Sequence, residues 1–154
     1  MGMIFNIRYY MKPIFCVGLA VAVSLCAIAA DAPDDAKAVE GNWKPVKAEL
    51  AGQPMAEAVM KSISLKLDGG KYEVFVGESP DRGTYTLDSA AKPEGMTVTG
   101  TEGPNNGKTF PAIYELNGDT MRICYDLSGA KRPTEFKSVA GTKLYLVTYH
   151  RKKE

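Results

Sequence analysis

The sequence predicts an all-β domain, an antiparallel barrel of eight up-and-down strands with one short helix near its start, carried behind a removable leader. Three observations lead there. Apolar and polar residues alternate over most of residues 64–151, the period of a half-buried strand. Turn sequences rich in Gly, Asn, Asp and Pro interrupt the alternation at short intervals. An uncharged apolar run from Pro13 to Ala30 ends in small residues before the alternation begins.

Arg8 and Lys12 precede that run, no acidic residue appears before Asp31, and Ala27 and Ala29 form an A-x-A pair. A positive start, an apolar middle and a small-residue exit mark a secretory signal peptide, placed here at residues 1–29. Met11-Lys12 would make a more compact beginning, so the start at Met1 or Met11 stays open. A retained membrane anchor competes, because the run approaches the ~20 residues of a spanning helix. Pro13 and the small residues at the exit favour cleavage. Lipidation fits poorly, since Cys16 follows Phe15 and Cys26 follows Leu25. The mature chain is expected to be exported, to the periplasm or outside the cell.

Loss of Arg8 and Lys12 takes the formal charge from +1 to −1, and Cys124 is the one cysteine left. No basic excess attracts nucleic acid or an anionic membrane, so neither is an expected partner. Without an internal disulfide, the remaining chain of about 125 residues must rely on a hydrophobic core, and that length suffices for one.

Residues 30–39 are acidic and Ala-rich without apolar periodicity, and are expected as a flexible spacer. The domain is placed at 40–151. Trp43 opens a first strand, with Pro45 marking a bend or an edge. AGQP turns the chain, and Met55, Val59, Met60 and Ile63 recur at helical spacing. Strands then follow at Ser64 to Leu67, Lys71 to Val76, Gly83 to Leu87, Met96 to Thr101, Lys108 to Leu116, Thr120 to Asp126 and Lys143 to Arg151. The separators include DGG at 68–70, ESPD at 78–81 and EGPNNG at 102–107. Asn117-Gly118-Asp119 is the strongest hairpin signal. A long loop spans 127–142, and residues 152–154 are a solvated tail. Successive hairpins favour a meander over a parallel sheet. Closure into a barrel removes exposed edges; a β-sandwich is the alternative.

GPNNGKT at 103–109, IYELNGDTMRICYD at 113–126, RPTEF at 132–136 and the EGNWK opening at 40–44 resemble the small lipocalin-like domains of planctomycete and related bacteria, over Glu40 to Arg151. The resemblance implies a lipocalin-like barrel and export, and carries over no catalytic residue. Gly41-Asn42-Trp43 also resembles the lipocalin G-x-W pattern, which implies that Trp43 closes one end of the barrel and that Arg151 packs across its ring.

Other chemistry finds little footing. GPNNGKT ends like a phosphate loop, but three residues rather than four separate its glycines, and Phe110-Pro111 follows where a helix is needed. Cys124 and His150 could make a nucleophile pair, yet Cys124 sits in an apolar strand segment and His150 near a strand end. An ordinary zinc site lacks ligands, and Asp31, Asp34 and Asp35 lack the spacing of a calcium loop. Asp68, Asp81 and Asp119 are scattered over turns. The expectation is therefore no catalytic residue, no metal and no cofactor.

Two features retain functional readings. In RPTEF, Arg132, Glu135 and Phe136 form either a loop at the barrel mouth that contacts a ligand or a structural latch across the barrel's end. The aromatic residues Tyr72, Tyr85, Tyr114, Tyr125, Tyr145 and Tyr149, with Phe75 and Phe110, fall on strands whose alternate residues point inward, and the candidate barrel lining is Tyr72, Val74, Tyr85, Leu87, Tyr114, Leu116, Met121 and Ile123. A hollow interior so lined would take a small apolar molecule. A filled one would leave an interaction or inhibitor module that meets another envelope protein through its loops. A monomer is expected in either case.

Overall fold

A computed structural model describes residues 35–153 of the chain. The expected signal peptide lies outside the described residues. A one-turn helix α1 (Asp35–Ala38) precedes strand β1 (Gly41–Leu50), a two-residue strand β2 (Gln53–Pro54) and helix α2 (Glu57–Ser62). Seven strands follow: β3 (Ile63–Asp68), β4 (Lys71–Val76), β5 (Ser79–Asp88), β6 (Gly95–Glu102), β7 (Thr109–Asn117), β8 (Thr120–Asp126) and β9 (Leu144–Arg151). All pairings between them are antiparallel, neighbours follow chain order, and β1 pairs with β9, so eight strands close into a barrel. The ninth, β2, lies outside the ring and pairs only with the end of β1.

The hairpin turns have local causes. Gly69 and Gly70, both with positive φ, connect Asp68 to its partner Lys71 in two residues. Gly118 and Asp119 do the same between Asn117 and Thr120. Pro45 is tolerated because β1 pairs with β3 only over Gly41–Trp43, and a bulge at Val46 follows directly.

Period-two alternation sends one face of each strand inward. Trp43, Leu65, Leu67, Tyr72, Tyr85, Met96, Ala112, Tyr114, Met121, Ile123, Val147 and Tyr149 form the buried core. One end is closed. Arg151 lies over the Trp43 ring with its guanidinium carbon 4.2 Å from the centroid. Its nitrogens donate to the carbonyls of Glu40 and, at 2.8 Å, Ala38, while Trp43 Nε1 donates to the Val39 carbonyl at 2.9 Å.

Three sequence expectations change. The spacer at 30–39 is not wholly free: α1 forms within it and Val39 is fully buried, because Arg151 and Trp43 take up the carbonyls of residues 38–40. The ESPD turn is shorter than expected, since Val76 already pairs with Ser79 and Asp81 belongs to β5. RPTEF is neither at the mouth nor across an end. It lies along the outer wall, where Phe136 stacks on the Arg122 guanidinium at 4.3 Å and Arg132 Nη2 donates to Thr97 Oγ1 at 3.0 Å. Glu135 is exposed and pairs with Lys137, not with Arg132. This strap explains the outward pair Ile113 and Cys124, which face away from the barrel yet are buried; Cys124 Sγ donates to the Lys137 carbonyl at 3.4 Å.

Candidate binding cavity at the barrel mouth

The end away from Trp43 and Arg151 is not filled. A cavity of about 130 Å³ lies there, walled by Leu65, Val74, Met96 and Val98 and by six aromatic rings: Tyr72, Tyr85, Phe110, Tyr125, Tyr145 and Tyr149. Leu127 and Asn105 contribute from the two loops at the rim, and Asp81 from β5.

The tyrosines come together through register. Tyr125 on β8 is directly opposite Tyr145 on β9, both inward, and their rings stack with centroids 5.8 Å apart. Tyr149, one inward position further from the mouth than Val147, has its hydroxyl close to those of Tyr125 and Tyr145. Burial raises the pKa of all three, Tyr145 up to about 12, so these hydroxyls stay neutral. Tyr72 is raised by burial and then by its bond to Asp81. Tyr85 is raised chiefly by burial, and its buried hydroxyl has no partner of good geometry among the described residues.

Asp81 is the charged member. It is buried at 6 % exposure. Oδ2 accepts from Tyr72 Oη at 3.0 Å and from Asn105 Nδ2 at 2.9 Å, and Oδ1 accepts from the Asn105 amide at 3.0 Å. The loop that brings Asn105 over Asp81 needs two glycines. Gly103 has φ +84 and sits where a Cβ would fall 2.6 Å from the Pro80 carbonyl; a Cβ on Gly100 would fall 2.0 Å from the Asn105 carbonyl. GPNNGKT is thus the fold-back loop that caps Asp81. No helix follows it, since β7 begins at Thr109.

Of the expected lining, Tyr72, Val74 and Tyr85 face this cavity. Tyr114, Met121 and Ile123 are packed deeper in the core, and Leu87 and Leu116 are half-buried against it. Tyr114 is turned toward the closed end, where its hydroxyl meets Asp35 Oδ2 at 3.4 Å. Phe110, Tyr125, Tyr145 and Tyr149, which belong to the aromatic set the sequence offers for a cavity wall, face it as well, whereas Tyr114 and Phe75 do not. Sequence reasoning missed Asp81 and Asn105. ESPD at 78–81 reads as a turn, yet Asp81 stands two and four residues from Gly83 and Tyr85 and so shares their face.

Cys124 and His150 are not brought together. Cys124 is opposite Leu146 and His150 opposite Thr120, which separates them by four strand positions, about 13 Å. Burial raises the Cys124 thiol pKa, which disfavours a reactive thiolate. Among the described residues there is no group of three or more His, Cys, Asp or Glu side chains that could hold a metal ion, and no helix long and apolar enough to cross a membrane. Comparison of the chain with known protein families, with curated proteins and with solved structures found no match.

Proposed function

We propose that the chain is an exported, non-catalytic, lipocalin-like protein that binds a small molecule in the mouth of its barrel. The cavity carries this reading: its walls are aliphatic and aromatic, with a few polar groups placed at fixed points, as in ordinary ligand sites. At about 130 Å³ it falls below the ~300 Å³ of a pocket for a drug-sized ligand, and near the ~150 Å³ that holds benzene. The guest is therefore a compact molecule, not a long lipid. A second reading, an interaction module of the cell envelope, draws support from the filled half of the barrel, where Trp43, Tyr114, Met121, Ile123 and Val147 are almost fully buried.

Ligand-observed NMR of the mature protein with compact neutral and charged fragments tests the first reading. Binding is expected, with loss in Val98→Phe, whose ring would occupy the cavity. No binding, or equal binding by Val98→Phe, would overturn it. Sequencing the N-terminus of protein recovered from its host tests export, with Ala30 or Asp31 expected first and a retained leader counting against it.

A further inference from the structure

The cavity has one formal charge and nothing in its wall to balance it. No Lys, Arg or His is among the residues that line it. All three hydrogen bonds to Asp81 come from neutral donors. Arg82, its neighbour in sequence, points to the outside and pairs with Glu73 and Glu102. Desolvating a carboxylate without a cation is unfavourable, and a loop tie alone could be made by a neutral side chain at less cost. Oδ1, with a single bond from the Asn105 amide, keeps accepting capacity. Tyr72 touches the carboxylate, and five further aromatic rings line the same cavity; aromatic faces carry negative potential.

We propose that the barrel mouth is a site for a compact organic cation with an apolar body, an alkylammonium, whose charge faces Asp81 and whose alkyl groups pack against Tyr72, Phe110, Tyr125 and Tyr145. The inference deepens the binding reading above and rests on it. Anions are repelled by the same carboxylate. A neutral guest of equal shape gains the apolar contacts but leaves Asp81 unbalanced. The tyrosine hydroxyls, held neutral by burial, add acceptors without adding a competing proton donor of positive charge.

The test uses two guests of matched shape, tetramethylammonium chloride and tert-butanol, titrated into the mature protein by ligand-observed NMR at fixed ionic strength. Tetramethylammonium is expected to bind at least about tenfold more tightly. Asp81→Asn is expected to abolish that preference while tert-butanol binding persists. Because Asp81 also ties the 103–108 loop, a second variant leaves it in place: Leu127→Lys sets an ammonium at the rim and should displace tetramethylammonium by about tenfold with little effect on tert-butanol. Equal or tighter binding of tert-butanol, or an undiminished preference in both variants, overturns the cation assignment and leaves the pocket standing. Failure of both guests to bind overturns the cation assignment and the binding reading together.

Discussion

Replacing Arg151 by alanine removes the bolt from the closed end of the barrel, and the cost can be worked from its contacts. The guanidinium donates to the backbone carbonyls of Glu40 and Ala38 and covers the Trp43 ring at 4.2 Å. Each charge-assisted bond contributes about 1.5 kcal/mol at the lower end of its range, and the ring contact about 1 kcal/mol. The pairing with Asp119 at 3.2 Å is with an exposed carboxylate and adds a few tenths at most. The loss is therefore about 4 kcal/mol, a large share of the ~5–15 kcal/mol typical of a domain. Urea unfolding followed by Trp43 fluorescence should show the midpoint fall by roughly 2 M, for an m-value near 2 kcal/mol/M. Arg151→Lys should fall between, because one ammonium cannot reach several acceptors and cover a ring at once. A loss below about 1 kcal/mol in Arg151→Ala, or Trp43 fluorescence unchanged in the folded variant, would refute the reasoning that this residue holds α1 and Val39 against the barrel.

Two further outcomes follow from buried groups. Tyr125, Tyr145 and Tyr149 have folded pKa values raised by burial, so stability is full below the unfolded value near 10 and is lost as pH rises through the folded values; Tyr145, at about 12, accounts for on the order of 2–3 kcal/mol. Tyrosinate absorbance should lag in the folded protein and then rise together with unfolding, and simple titration of every tyrosine near pH 10 in a folded chain would contradict this. Cys124, fully buried under the strap, should react with a thiol reagent only through local opening. Phe136→Ala, which removes the ring from Arg122, should speed labelling by at least about tenfold without unfolding the barrel, and an unchanged rate would show that the strap does not protect the thiol.

Much of the barrel is legible in the chain because each hairpin is specified locally. DGG and Asn117-Gly118-Asp119 allow only tight reversals, and the alternation in KYEVFV or TMRICYD gives each strand an inner and an outer face. Local rules mislead where distant segments intervene. Asp81 looks like a turn residue beside Pro80, but Asn105 and Tyr72 supply the bonds that let its carboxylate enter the wall. The alternation that turns Tyr114 and Ile123 inward turns Ile113 and Cys124 outward, where exposure is expected; both are buried, and Cys124 meets the Lys137 carbonyl of the strap. Val39 has no periodic partner nearby, yet Trp43 and Arg151 draw it into the core.

The sequence by itself determined the strand class, most of the turn positions and the inward period, because these depend on neighbours within a few residues. Only the tertiary structure decided that the end away from Trp43 keeps a cavity, that five tyrosines line it, and that Asp81 enters its wall. Those outcomes depend on register across strands far apart in the chain, and side-chain volumes fill or leave space only once that register is fixed.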